Sequence, residues 1–292
     1  MRFLLVLAVI SACAFAADEA ALPAGVTLTV DPEPQTPGVL SWSVTSPYQQ
    51  GSNRIEILLP AHAEAARRYP VVYCLPVNEG TGGKWGHPLT VAASHQLADR
   101  LGAILVCPAY AITPWFGDNP LRPEVRQSSY LTEVVVPLVE ARLPALPEAR
   151  SRYLLGFSKS GHGALAIFLR HPERFAKVAL FETWFGQPDA KQWAEWGFVD
   201  CYGTRENYDA WNPQRLIDEQ KGLLAKGRSR IIVLNGGPGA RAGVEALLSQ
   251  LRDRQVPFTL IADGGWSHAW GSGWLPLALT ALLADRDQPA AP

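Results

Sequence analysis

The stretch YLLGFSKSGHGA, residues 153–164, decides the fold of this chain. Its first residues are apolar and predict a buried strand, Ser158 falls in a sharp turn, and a helix begins directly behind it. This layout is typical of a nucleophile elbow, in which a serine sits on a strained strand-to-helix turn beside a helix N-terminus. We therefore predict that Ser158 is a nucleophile; the alternative is a Gly/Ser-rich loop without chemistry.

The elbow departs from the usual G-x-S-x-G spacing at one position. Gly156 and Ser158 match, but Ser160 stands where the closing glycine belongs, and Gly161 comes one residue late. Glycines around such a serine let the strand and helix backbones approach closely, and a serine adds only a hydroxymethyl group there. The departure is therefore compatible with an elbow.

Length and composition indicate one soluble domain. The chain has 292 residues, 48% hydrophobic and 18% charged, with a net charge of −1. This size lies within the range of a single α/β domain. No block of Lys and Arg is present, which argues against a nucleic-acid partner or an acidic membrane surface. No HExxH or paired CxxC motif occurs, so the sequence predicts neither a metal site nor a cofactor.

The N-terminal residues are typical of an export signal. Arg2 precedes an apolar run over residues 3–10 that is too short to span a bilayer. Residues 14–16, AFA, fit a cleavage site, so we expect a signal peptide at 1–16 and export to the periplasm or the medium without stable membrane insertion. The alternative is a lipobox at residues 10–13 that would lipidate Cys13.

Export permits disulfides, and three cysteines remain in the mature chain. Cys74 and Cys107 end two apolar runs that adjacent strands would bring close together. We expect these two to be buried free thiols; a disulfide between them and the state of Cys201 stay open.

Apolar runs alternate with helical patterns along most of the chain. After a flexible segment at 17–38, residues 40–60 predict two antiparallel strands with a turn at 50–53. Further strands are predicted in VVYCL, AILVC, YLLGF, VALFE, IIVLN and FTLIA, with helices between them. Such runs indicate a parallel sheet covered on both faces. We predict one α/β domain over 39–286 and a disordered tail at 287–292.

A histidine follows the last predicted strand, in the segment ADGGWSHAWGSGW. Serine hydrolases on such sheets carry the serine, the acid and the histidine in that chain order, so His268 is the predicted base. His87, in a loop after a strand, stays open as a substrate contact. Weaker candidates lie before the core or on helices: His62, His95, His162 and His171.

The acid is harder to place, because the loop after IIVLN, residues 235–243, contains no carboxylate. Glu182 ends VALFE, the strand next to the elbow strand, and neighbouring strands lie about 5 Å apart. We predict that Glu182 orients His268. Asp263, on the same loop as His268, is the second candidate, and Glu182 as a purely structural carboxylate is the alternative.

An oxyanion would need two donors. One is the backbone N–H of Lys159, the residue after the nucleophile, and the other is expected in the glycine-rich loop after VVYCL, at Val77 or Asn78.

Several segments together resemble the α/β-hydrolases of the esterase D type. They are the strand pair SWSVTSPYQQGSNRIEILLP, the loop LPVNEGTGGKWG, the segment TPWFGDNPLRPEVRQSSYLTEVVVPLVE, the elbow LLGFSKSGHGALAIFLRHPERF and the tail SHAWGSGW. The resemblance covers roughly residues 40–284 and is greatest to a secreted bacterial branch with a GFSKSG elbow. It implies an acyl-ester substrate and no cofactor. The superfamily's usual aspartate has no match here, and an acidic residue at the position of Glu182 is a feature of this branch.

Tryptophans in segments after strands are predicted to line the substrate cleft, because indole faces suit sugar rings and aryl acyl groups. Those assigned to the substrate are Trp85, Trp115, Trp184 and Trp270. We thus predict a serine esterase acting on small-molecule or glycan esters. The alternatives are an acyltransferase or serine peptidase on the same fold, and a glycan-binding protein without catalysis.

Overall fold

Nine strands form one mixed sheet in this computed structural model, which describes residues 22–284 except 33–35, 37, 62, 65, 81–82, 237–240 and 263. The strands are β1 (Thr27–Val30), β2 (Val39–Ser46), β3 (Gln49–Leu58), β4 (Val71–Cys74), β5 (Ile104–Pro108), β6 (Arg152–Phe157), β7 (Lys177–Phe181), β8 (Ile231–Leu234) and β9 (Phe258–Ile261). Their order across the sheet is β1-β2-β3-β5-β4-β6-β7-β8-β9. The last six in this order are parallel, and β1 to β3 join them by antiparallel pairing. The predicted α/β fold with its antiparallel N-terminal pair is confirmed.

The helices follow the predicted alternation with the strands. They are α1 (Pro88–Ser94), α2 (Leu97–Leu101), α3 (Gln127–Ser129), α4 (Val136–Arg142), α5 (Lys159–Arg170), α6 (Ala190–Glu195), α7 (Phe198–Tyr202), α8 (Arg205–Trp211), α9 (Pro213–Leu224), α10 (Arg241–Asp253) and α11 (Leu275–Leu283). A π-helical stretch, Tyr130–Val135, joins α3 to α4, and 3₁₀ turns occupy Gly83–Trp85, Ala149–Ser151 and Trp270–Ser272.

The core lies on both faces of the sheet. Successive residues of β4 point to opposite faces, since Val71 and Tyr73 pack in one buried cluster while Val72 and Cys74 pack in the other. A strand that is apolar at every position therefore needs helices on both sides, which is why the sequence carries continuous apolar runs rather than alternating ones.

The N-terminal part corrects two predictions. Residues 27–30 fall within the segment predicted to be flexible, yet they form β1, which pairs with β2. Asp31 stabilises this edge by accepting hydrogen bonds from the Ser41 and Ser43 hydroxyls, at 2.6 and 2.9 Å. The turn between β2 and β3 lies at 47–48 rather than at 50–53, because Pro47 fixes its backbone for a turn and the later residues pair with β2.

Helices α6 to α8, between β7 and β8, were not predicted. They are short, and side chains cap two of them: Asp189 accepts from the Gln192 N–H, and Thr204 accepts from the Asn207 N–H. Their aromatic side chains pack on the elbow side of the sheet, where Phe198 stacks on Trp115 with ring centroids 3.9 Å apart.

Several predictions fall on residues outside the described part of the chain. They concern the signal peptide at 1–16, the lipid anchor at Cys13, Asp263 and the tail at 287–292. Among the helices that the structure describes, none is both long enough and apolar enough to cross a membrane.

Candidate active site

Ser158 sits on a strained turn at the end of β6. Its φ and ψ are 57° and −124°, a backbone conformation that costs free energy for a residue with a side chain. The turn is held on both sides, since the Ser158 N–H donates to Phe181 O at 2.9 Å and its carbonyl accepts from Trp184 N–H at 3.1 Å. Gly156 is required there, because a Cβ on it would lie 2.2 Å from Ser160 O. The elbow geometry predicted for Ser158 is therefore present.

The structure also explains the displaced glycine. Ser160 is fully buried, and its hydroxyl accepts from the Phe157 N–H and donates to the Phe157 carbonyl, both at 2.9 Å. It thus ties the end of β6 to the first turn of α5. A Cβ on Gly161 would lie 2.8 Å from Thr183 Oγ1, so the glycine is needed one residue later than usual.

Glu182 and His268 meet beside the elbow. The His268 Nδ1 and Glu182 Oε2 are joined by a hydrogen bond. The Glu182 side chain is only 3% exposed, whereas that of His268 is 35% exposed. The carboxylate is therefore buried, and the imidazole is accessible to solvent. The His268 ring also packs on Phe157, the residue before Ser158, with centroids 4.5 Å apart. Within the described residues, the Ser158 hydroxyl has no hydrogen-bond partner.

The loop after β8 makes room for the Glu182 carboxylate. Glu182 follows β7 with a φ of 44°, and its N–H donates to Leu234 O, at the end of β8, at 3.3 Å. A Cβ on Gly236 would lie 2.1 Å from Glu182 Oε1. The loop after β8 contains no acid of its own. Instead, the Glu182 carboxylate, at the end of the neighbouring strand β7, occupies the space beside Gly236.

The predicted oxyanion donors lie on two neighbouring elements. Lys159 is the first residue of α5, while Val77 and Asn78 follow β4, the strand next to β6. Burial lowers the pKa of the Lys159 ammonium, an effect that the charge of Glu79 partly offsets. For Glu79 itself, burial would raise the pKa, but the hydrogen bond from Thr113, at 2.6 Å, and the Lys159 charge leave it lowered.

The tryptophans assigned to the substrate divide into two groups. Trp115 and Trp270 are 2% and 1% exposed, so these indole rings are core residues and the substrate assignment is corrected for them. Trp85 and Trp184 are half-buried and remain available for contact. His87 pairs with Glu56 at 3.0 Å.

The three cysteines in the described part of the chain offer no competing nucleophile. Cys74, Cys107 and Cys201 are buried free thiols. Burial raises the pKa of each, that of Cys201 to about 12, which leaves the thiolate unpopulated near neutral pH. No group of three His, Cys, Asp or Glu side chains in the described part of the chain could hold a metal ion.

His162 lies fully buried one turn behind Ser158. Its ring contacts those of Trp115, Trp184 and Tyr208, with centroids 5.1–6.2 Å away. Burial lowers its pKa to about 3, so the imidazole is neutral at any ordinary pH and serves as packing rather than as a base. The sequence alone predicted that His162 lies on the elbow helix, but it did not predict the aromatic rings that surround it.

This burial predicts a pH-dependent stability. Between pH 6.5 and 3 the unfolded chain binds a proton at His162 that the folded protein does not, so the free energy of unfolding falls with decreasing pH, by up to about 1.4 kcal/mol per unit. His171, whose pKa is lowered mainly by burial, acts in the same direction. We expect His162→Leu to flatten the dependence between pH 6.5 and 5 in urea titrations, and His95→Leu, at an exposed site, to leave it unchanged. Equal slopes for all three proteins would contradict the assignment.

Comparisons with known proteins found similar sequences and similar structures. The family described as "Putative esterase" matches residues 112–264, a segment that holds Ser158 and Glu182 and ends before His268. The S-formylglutathione hydrolase of Mus musculus is 23% identical over 159 residues, which cover 52% of this chain and 54% of the mouse protein. The chain thus spans about half the length of this relative.

Solved structures show the same fold. An S-formylglutathione hydrolase from Agrobacterium tumefaciens superimposes with a TM-score of 0.69 at 18% identity, covering 87% of this chain and 98% of that one. A ferulic acid esterase gives 0.64 at 18% identity, covering 88% and 96%. The architecture of this chain is therefore the α/β-hydrolase fold that they share.

Proposed function

Because the chain belongs to the family described as "Putative esterase", we propose that it is a serine hydrolase that cleaves carboxylic esters through Ser158, His268 and Glu182. The observation that carries the proposal is the pairing of His268 with the buried Glu182 beside a strained serine elbow. A carboxylate on Nδ1 leaves Nε2 unprotonated and able to accept a proton, which is what a general base next to a serine requires.

The proposed reaction has two halves. The Ser158 oxygen attacks the ester carbonyl while His268 Nε2 takes its proton, and the Lys159 N–H, with a second amide at Val77 or Asn78, stabilises the oxyanion. The tetrahedral intermediate collapses, the C–O bond to the alcohol breaks, and His268 returns the proton to the leaving alkoxide. Water then attacks the acyl-enzyme with the same base, which releases the acid and restores Ser158. The hydrogen bond between Ser158 and His268 is expected to form only with substrate present.

The substrate is proposed to be a small-molecule or glycan ester. The half-buried indole of Trp184, next to the elbow, supports flat aryl or sugar groups as ligands. The N-terminal sequence supports export, with residues 1–16 removed and the lipid anchor at Cys13 as the alternative. The oligomeric state is open.

A fluorophosphonate probe tests the proposal. We expect rapid covalent labelling of the purified protein at Ser158, located by peptide mass spectrometry, together with hydrolysis of p-nitrophenyl acetate. Aryl amides and alcohol acceptors in the same assay distinguish a peptidase or an acyltransferase from an esterase. Glycan binding without any labelling would replace the proposal with the non-catalytic alternative.

A further inference from the structure

A short segment holds Trp85 against His268. This segment, Gly83–His87, is called the Trp85 strap below. The ring centroids of Trp85 and His268 are 4.6 Å apart, with the planes at 85°. We infer that Trp85 is a positioning residue for His268 and that the pairing of His87 with Glu56 anchors the strap. The inference rests on the proposed role of His268 as the base.

His268 needs more than its carboxylate partner to be oriented. The contact with Glu182 fixes one atom, Nδ1, and leaves the ring free to tilt about that contact. The adjacent loop places little side-chain volume against the ring, since Gly264 has no side chain and Ser267 is exposed. The other restraints are ring contacts: Phe157 packs on the imidazole from the sheet, and Trp85 packs on it from the strap. Removal of either contact would let the imidazole tilt about Nδ1 and would misplace Nε2 for proton transfer.

The strap is built to be rigid. Gly83 and Gly86 both have positive φ, 78° and 77°, and the Gly86 N–H donates to Gly83 O at 3.1 Å, which closes a tight turn around Trp85. The Lys84 Nζ lies 4.5 Å from the Trp85 ring centroid, so a cation also restrains the indole.

A buried contact between His87 and Glu56, close in distance although without hydrogen-bond geometry, anchors the C-terminal end of the strap. The His87 Nε2 lies 3.0 Å from Glu56 Oε2, and these side chains are 12% and 7% exposed. Glu56 belongs to β3 and is paired on both sides, with Ser41 of β2 and Cys107 of β5. The strap is thus fixed to the sheet at His87, directly before α1 begins at Pro88. The strand positions of the sheet therefore determine where Trp85 meets His268.

The inference differs from the sequence-based assignment of Trp85 to substrate binding. A residue that only lines the substrate cleft raises KM when it is removed and leaves kcat near its original value. A residue that orients the base lowers kcat and leaves KM nearly unchanged, because the misplaced group matters in the reaction step.

The first experiment measures kcat and KM for Trp85→Ala and Trp85→Phe on p-nitrophenyl acetate. We expect a loss of about 10- to 100-fold in kcat for Trp85→Ala, as for a small misplacement of a catalytic group, and recovery of most of it in Trp85→Phe, which keeps an aromatic face. Trp196→Ala is the matched control, since that indole is 44% exposed and lies on another segment. An increase in KM with unchanged kcat would overturn the inference.

The second experiment tests the anchor by a double-mutant cycle. His87→Gln and Glu56→Gln should each lower kcat when Trp85 is present and add little in the Trp85→Ala background, because the anchor acts through the indole. Circular dichroism and thermal unfolding identify variants that fail to fold. If one of the two variants, His87→Gln or Glu56→Gln, does not fold, the cycle is measured with the other. Fully additive losses would overturn the anchoring role.

An NMR measurement tests whether Trp85 orients His268 without the need for enzyme turnover. The His268 Nδ1–H proton, hydrogen-bonded to Glu182, should give a downfield resonance that His268→Asn removes, and that Trp85→Ala shifts or broadens while Trp196→Ala does not. A resonance that is identical in wild type and Trp85→Ala would refute the inference. If wild type is inert to esters and to fluorophosphonate, the proposed function fails, whereas this measurement still decides whether Trp85 orients the ring.

Discussion

Ser158→Ala is expected to lower kcat for ester hydrolysis by about 10⁴- to 10⁶-fold and to abolish fluorophosphonate labelling, because it removes the proposed nucleophile. Residual hydrolysis above the uncatalysed rate would come from the oxyanion donors and substrate binding, which the substitution leaves in place. The fold should survive, since the turn is held by backbone hydrogen bonds to Phe181 and Trp184. The measurement is initial-rate kinetics on p-nitrophenyl acetate, with thermal unfolding as a check.

Ser94→Ala is the control for this prediction. Ser94 is exposed on α1, and its hydroxyl donates to the Val91 carbonyl of the same helix at 2.9 Å. It should hydrolyse esters and label like wild type. Full activity of Ser158→Ala would show that Ser158 is not the nucleophile.

Glu182→Gln should lower kcat by about 10⁴-fold. The amide keeps the shape of the carboxylate, but it can present an N–H to His268 and favour the tautomer whose Nε2 carries the proton, which cannot act as the base. It also removes the charge that stabilises the imidazolium in the transition state. KM should change little, since Glu182 is buried and does not face the substrate.

Two further variants decide the identity of the acid. Glu245→Gln, at an exposed position of α10, is the matched control and should behave as wild type. Asp263→Asn tests the second candidate, and we expect an effect below about 10-fold. A large loss in Asp263→Asn together with near-normal kinetics in Glu182→Gln would assign the role to Asp263 and leave Glu182 as a structural carboxylate.

The fold was predictable because its signals are local. Continuous apolar runs such as those of β6 and β7 are too short for buried helices and therefore favour strands covered on both faces, and amphipathic spacing marks helices between them. The errors lie where a local signal is weak. Strand β1 is short and largely exposed, and the aromatic helices α6 to α8 form because they pack on Trp115 and each other, a condition that no local pattern reports.

For the site, the order of strands and helices was sufficient to predict Ser158, His268 and Glu182 as candidate catalytic residues. It was not sufficient to decide which tryptophans line the substrate cleft. Trp115 and Trp270 follow strands just as Trp85 does, yet the first two are buried. Position along the chain says which edge of the sheet a residue is near, whereas the direction of its side chain depends on packing from distant segments.

The sequence by itself determined the serine elbow, the α/β order and the late histidine, since each depends on residues that are close together in the chain or on the succession of elements. Only the tertiary structure decided that the carboxylate at the end of β7 meets His268, with Gly236 leaving space for it, and that Trp85 meets the same ring. These contacts join residues from four separate loops. Their distances are fixed by the spacing of neighbouring strands and by side-chain volume, which a linear pattern does not contain.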